Sequence, residues 1–147
     1  MIFLKGGVYL RKFIFYHLLL LMLIVDVVHA SETTQIEVFD IDQEKVVKYT
    51  EMNEEIYEEL KQMIAHITNV YQEFKPVPEH GFMIKLPLDK PITVDNEWLQ
   101  NEIDEAIIIY PEYEQPHMLL FDINGDFHIF SFQYDTETFL NAIGYWP

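Results

Sequence analysis

The chain contains no cysteine in its 147 residues. That excludes disulfides, a thiolate metal site, a cysteine nucleophile and lipid attached to an N-terminal cysteine. Glycine is also scarce, at 5 residues. No glycine-rich phosphate loop or P-loop occurs, and neither does a His-Glu-x-x-His zinc motif or a nucleophile-elbow serine. Positive charge is the third shortage: 9 Lys and Arg stand against 25 Asp and Glu, for a net charge of −16. Such a chain repels nucleic acid and anionic lipid head groups.

The few cations are unevenly spread. Lys5, Arg11 and Lys12 lie before a run of apolar or near-apolar residues from Phe13 to Val25. Asp26 closes the run, and Val28 and Ala30 provide a small-x-small exit before Ser31. A basic start, a short apolar stretch and a small-residue exit form the secretory signal pattern. Residues 1–30 are therefore expected to be a signal peptide cut after Ala30, and residues 31–147 a single acidic globular domain that is secreted or held at the cell surface. A retained membrane anchor is the alternative. Spanning needs about 20 apolar residues, and the run approaches that length only by including Asp26 and His29.

Cleavage would sharpen the charge. The leader holds three of the 9 bases and one of the 25 acids, leaving six lysines, no arginine and 24 acids, a net charge of −18. A composition of 50% hydrophobic and 15% aromatic residues still supplies a core, so the domain is expected to fold unstapled and without metal. Its surface favours solubility and cationic partners: a protein, basic peptides, metal ions or a cationic cell surface. A membrane is a partner only if the leader is retained.

The pattern of the remaining chain predicts α+β: a signal helix, then an antiparallel sheet in the order β-β-α-β-β-β-β-β-α packed on one long amphipathic helix. Residues 35–41 alternate, 42–45 turn and 46–50 return as a hairpin. Asn53 caps a helix in which Ile56, Leu60, Met63, Ile64, Ile67, Val70, Tyr71 and Phe74 recur at three- and four-residue steps, ending before Pro76. Strands are expected at 82–86, 92–94, 106–110, 117–122 and 127–132, and a last helix through Ile143. Pro87 and Pro91 imply an edge or a bend. Asn124-Gly125 predicts a two-residue type I′ turn, which would pair Phe121 with His128 and His117 with Phe132.

No catalytic, cofactor-binding or metal-binding residue stands out. His66, His80, His117 and His128 are too scattered for the three or four ligands that zinc needs. Asp122, Asn124 and Asp126 alternate like a calcium loop, but Gly125 falls fourth where the loop needs its glycine sixth. Glu51, Glu54, Glu55, Glu58 and Glu59 read as a solvated helix face that complements the helix dipole. The C-terminal aromatics, among them Tyr110, Tyr113, Phe121, Phe130, Phe132, Tyr134, Tyr145 and Trp146, need a cover on both faces of the last strands. A non-enzymatic binding or interaction module using that sheet is the expected function. An extracellular hydrolase acting through paired carboxylates is the alternative.

The segments Pro76-Val-Pro-Glu-His-Gly81, Met83-Ile-Lys-Leu-Pro-Leu88 and Pro91-Ile-Thr-Val-Asp-Asn-Glu-Trp98 resemble small exported proteins of Bacillus-type bacteria with no assigned function. The resemblance implies a Gram-positive exported domain and brings no activity, ligand or site residue.

Expressed in a Gram-positive host, the chain should enter the medium beginning at Ser31, as read by N-terminal sequencing. Recovery of the intact Met1 terminus in the membrane fraction would show an anchor instead.

Overall fold

The computed structural model describes residues 35–73 and 75–146. The expected leader, residues 1–30, lies outside the described residues. Seven strands and two helices follow in order: β1 Gln35–Asp40, β2 Lys45–Glu51, α1 Glu54–Ala65, β3 Ile67–Val70, β4 Gly81–Asp95, β5 Gln100–Pro111, β6 His117–Asp122, β7 Phe127–Phe132 and α2 Glu137–Ile143. The strands form one sheet, ordered β2-β1-β4-β5-β6-β7-β3, with every pairing antiparallel.

The expectation of a sheet packed on one long amphipathic helix is overturned. The sheet dominates, and both helices are short, 12 and 7 residues. The nine-element string reappears only because two errors cancel. The presumed long helix breaks at His66, whose N–H reaches back to the Gln62 and Met63 carbonyls at 3.1 Å. Beyond it, Ile67, Thr68 and Val70 are β-branched, poor for helix and good for strand. They pair with β7, Ile67 opposite Phe132 and Val70 opposite Phe130. Conversely, the two short strands around Pro87 and Pro91 are one strand, β4, with a register shift between Pro87 and Ile92. The prolines are tolerated because β1 pairs with β4 only from Phe82 to Lys85. Past that point one side of β4 is a free edge, where a missing N–H costs nothing.

The β6–β7 turn also differs from expectation. Phe121 pairs with Phe127, Leu120 with His128, and His117 with Ser131, one residue away from the predicted register. Asn124 does not take a positive φ; Gly125 does, at 84°. The Gly125 N–H donates to the Asp122 carbonyl at 2.8 Å, and the Asp122 N–H donates to the Asp126 carbonyl at 2.9 Å. This is a type I turn closed by a left-handed glycine, the three-residue hairpin connection rather than the two-residue one. The cause is the Asp122 side chain. Its Oδ1 accepts the Asn124 and Asp126 amides at 2.9 and 3.2 Å, which favours an Asx-type turn one residue earlier.

This register decides the faces. Met118, Leu120, Phe130 and Phe132 point to the core and are buried. They meet Ile56, Leu60, Met63 and Ile64 of α1 and Phe139, Leu140 and Ile143 of α2 in one cluster. Asn53 caps α1 as expected, its Oδ1 accepting the Ile56 amide at 2.9 Å. The helix carries the chain from β2, at one edge, to β3, at the other, beneath the core face. The described parts of the return from β3 to β4, residues 71–73 and 75–80, lie on the opposite, outer face. Tyr71 stacks on His117 there, ring centroids 4.1 Å apart, and the Pro76 carbonyl accepts from His117 Nε2 at 2.6 Å.

Gly81, where this strap enters β4, has φ 123°, and a Cβ there would lie 2.1 Å from the Tyr110 carbonyl oxygen. Gly125 has open space around its missing Cβ. Gly125→Ala should therefore cost about 1–2 kcal/mol, the left-handed strain alone. Gly81→Ala should cost about 3 kcal/mol or more, since a backbone clash adds to the strain. Urea midpoints of the two variants check the order; equal losses would contradict it.

Candidate functional site

The outer face is the first candidate. Alternation places Phe39, Met83, Ile107, Leu119, Phe121, Phe127 and Ile129 on it, through the pairs Phe39–Met83, Ile107–Leu119, Leu119–Ile129 and Phe121–Phe127. None belongs to the core cluster or packs against it. Phe127 is 60% exposed, and its ring lies 6.0 Å from that of Phe121. The strap covers only one end of this face: His117 is 1% exposed, and Ile109, its partner on β5, is fully buried without joining the core. Charge on the face is mostly acidic. Glu37 and Glu105 sit beside Lys85, and Lys85 is tied to Glu105 at 3.2 Å. Glu102 and Asp104 continue the series, exposed, along β5.

The second candidate is a cleft of about 350 Å³ between the strap and the β5–β6 loop. Tyr71, Pro76, Pro78, Pro111, Tyr113 and His117 form its apolar wall and floor. Glu73, Glu79, Glu112 and Glu114 stand around it with a single base, Lys75, and with His80. The four glutamates are exposed, so none is desolvated as a catalytic acid would be.

The histidines go separate ways. His66 closes α1, its Nδ1 2.7 Å from the Gln62 carbonyl. His80 Nδ1 lies 2.5 Å from Asp42 Oδ1, and the second Asp42 oxygen accepts the Gly81 amide at 3.2 Å. The His80 hydrogen bond holds the Asp42 carboxyl below its usual range, helped by the Gly81 amide. The same bond raises His80. Both groups are about half exposed, so the pair guides the strap more than it stabilises the fold. The predicted pairs Phe121–His128 and His117–Phe132 would put both histidines on one face of the sheet, and the structure overturns this. The shifted register puts His117 outside and His128 inside, 3.5 Å from Asp122. Among the described residues no group of three His, Asp or Glu is placed to hold a metal ion.

Asp122 is 2% exposed and structural. Besides the two amides, it accepts from Asn101 Nδ2 at 2.5 Å. Its oxygens are thus engaged in holding the turn, which removes the calcium-loop reading. Burial pushes its carboxyl pKa up, but the Asn124 and Asp126 amides and His128 outweigh that and hold it below the usual value. The glutamates of α1 serve the fold as expected: Glu54 and Glu55 occupy the first turn, Glu58 pairs with Lys61 at 2.9 Å, and Glu59 accepts from the Tyr134 hydroxyl at 3.2 Å.

Sequence reasoning missed the cleft, because its wall joins Tyr71, Glu73 and residues 75–80 to residues 111–114 and His117 across the sheet. The signal present was a run of prolines and glutamates in two loops, which read as mere connections. Comparison with family models, curated proteins and solved structures finds no match. Among the described residues no helix is long and apolar enough to cross a membrane.

A carboxyl with a lowered pKa in the fold stabilises it above the unfolded pKa, and that contribution fades as pH falls through the folded value. Asp122→Asn should therefore lower the thermal midpoint at pH 7. The gap to the parent should narrow as pH falls below about 4. A gap constant down to pH 2 would show that the charge of Asp122 does not hold the turn.

Proposed function

We propose that this domain is a binding module whose docking surface is the outer face of the sheet, and that its partner is a basic, amphipathic polypeptide outside the cell. The supporting observation is the continuous apolar row Ile107, Leu119, Phe121, Phe127 and Ile129 on the face opposite both helices. A soluble monomer rarely leaves such a row without a use. Aromatic side chains at its open end supply the area and low entropy loss that interface anchors need.

Charge selects the occupant. Glu37, Glu102, Asp104 and Glu105 flank the row, and Lys85 is already paired. A second copy of a chain with net charge −16 would bring like charge against like. A cationic partner with one apolar stripe meets both features, and electrostatic steering would speed its approach. Export from a Gram-positive bacterium, as the leader and the resemblance in residues 76–98 suggest, would put this surface where basic polypeptides and cell-surface polymers occur. The exposed glutamates of the cleft lend the hydrolase alternative no desolvated acid.

A synthetic helical peptide of leucine and lysine with one apolar face should bind the secreted chain saturably in calorimetry. A scrambled peptide of equal charge should bind at least tenfold more weakly. Phe121→Ser/Phe127→Ser, outside the core, should weaken the amphipathic peptide tenfold or more while leaving the thermal midpoint within a few degrees. Equal binding by the scrambled peptide, or an unaffected double variant, would contradict the proposal.

A further inference from the structure

Asp42, in the turn between β1 and β2, ties down the far end of the strap with both of its oxygens. Its Oδ1 lies 2.5 Å from His80 Nδ1, and its Oδ2 accepts the Gly81 amide at 3.2 Å. An ionised carboxylate only accepts, so Nδ1 carries a proton. Gly81 itself is fixed: its carbonyl accepts the Ile41 amide at 3.0 Å, and it pairs opposite Pro111. The strap can therefore pivot only on its own side of that residue. There the His80 carbonyl accepts the Glu112 amide at 3.2 Å, which joins the strap to the β5–β6 loop. Further back, Pro76 is held by the buried His117. Residues 77–80 thus hang between a buried inner anchor and an outer one open to water, since the Asp42 and His80 side chains are about half exposed.

The surroundings of the outer anchor are acidic. Glu112 of the β5–β6 loop and Glu79 of the strap face His80 and favour its charged form. Asp40 of β1 and Tyr145, beyond α2, line the hollow beside Asp42, and the Tyr113 hydroxyl feels the Asp42 charge. Besides the histidines, Lys75 is the one base among the described residues that line this hollow and the adjoining cleft. The bond between Asp42 and His80, the largest cause for each, holds the carboxyl below its ordinary value and the imidazole above. Histidine is the side chain whose charge ordinarily changes between about pH 5 and 8.

We propose that Asp42 and His80 form a pH-sensitive latch on the strap, closed in mildly acidic surroundings and looser above neutrality. The sign follows from the charges. Stabilisation by a raised histidine is complete below about pH 6.5 and is lost as the pH rises through the raised value. Stabilisation by a lowered carboxyl is complete above about pH 4 and is lost as the pH falls through the lowered value. The latch is therefore firmest between these limits. Above them a neutral imidazole can still donate to Asp42, but without the charge that strengthens the bond. The change is graded, about two- to fivefold in the opening of residues 77–80, because water screens an exposed ion pair. Opening parts the strap from the β5–β6 loop and widens the cleft between them. The latch stands apart from the docking proposal, whatever occupies the outer face.

The test follows solvent exchange of backbone amides by NMR in the ¹⁵N-labelled chain between about pH 5.5 and 8, each rate being corrected for its intrinsic pH dependence. The Glu112 and Gly81 amides, whose acceptors are the His80 carbonyl and the Asp42 carboxylate, should exchange about two- to fivefold faster at the upper end. The Leu120 amide, inside the sheet, should not change. His80→Gln replaces the ring by a neutral donor and should remove the pH dependence. Asp42→Asn should bring the titration of His80, read from its ring protons, back to the ordinary histidine range. Both side chains are exposed and outside the core, so both variants should fold. A pH dependence that persists in His80→Gln would place the effect at His117 or in general loosening, and would overturn the latch. Constant exchange in the parent, or a His80 titration unmoved by Asp42→Asn, would overturn it equally.

Discussion

The carboxylate of Asp122 is the constraint on which the arrangement of the sheet depends. By accepting the Asn124 and Asp126 amides, it starts the turn one residue earlier than Asn124-Gly125 alone would. A strand has a side-chain period of two, so a slip of one residue exchanges its faces. With this register, Met118, Leu120, Phe130 and Phe132 complete the core beneath the helices. Leu119, Phe121, Phe127 and Ile129 go together to the other side. One buried carboxylate thus separates a core from a candidate binding face. The Asn101 side-chain amide holds it in place from β5, and His128 of β7 lies 3.5 Å away.

The two faces are finished by different means. Under the core face, α1 runs from one sheet edge to the other and α2 packs beside it, giving the apolar side chains a full cover. Over the outer face the chain returns as a proline-rich strap without regular structure. The strap is fixed at Pro76 by His117 and near Gly81 by Asp42 and His80. It shields His117 and Ile109 and leaves the apolar row beyond them. The same crossing creates the acidic, tyrosine-walled cleft, so both candidate sites follow from one topological requirement: β3 and β4 are consecutive in the chain but distant in the sheet.

Much of this was legible in the residues. Strands at 35–41, 46–50, 106–110, 117–122 and 127–132, the Asn53 cap and the positive φ of Gly125 follow from alternation and turn chemistry. The long helix did not follow, because Ile67, Val70 and Tyr71 satisfy a helical period by coincidence, and Phe74, the last of the series, lies outside the described residues. Only the pairing of Ile67–Val70 with β7 breaks the tie, and that is a long-range contact. The register of the last hairpin was lost for a subtler reason. Asn124-Gly125 is a strong turn signal, and nothing local shows that the Asp122 side chain will capture two amides first. The cleft was invisible because its parts are about forty residues apart.

A disulfide across the last hairpin tests the central claim most directly, since the parent chain has no cysteine to interfere. Leu119→Cys combined with Ile129→Cys joins residues that lie directly opposite each other, within the span a disulfide needs. Leu119→Cys combined with Phe130→Cys joins residues on opposite faces. Mild oxidation should close the first pair quantitatively, as read by mass spectrometry, and leave the second as free thiols. Closure of the second pair and not the first would mean the register of a two-residue turn. It would mix the core and outer sets and remove the apolar face on which the functional reading stands.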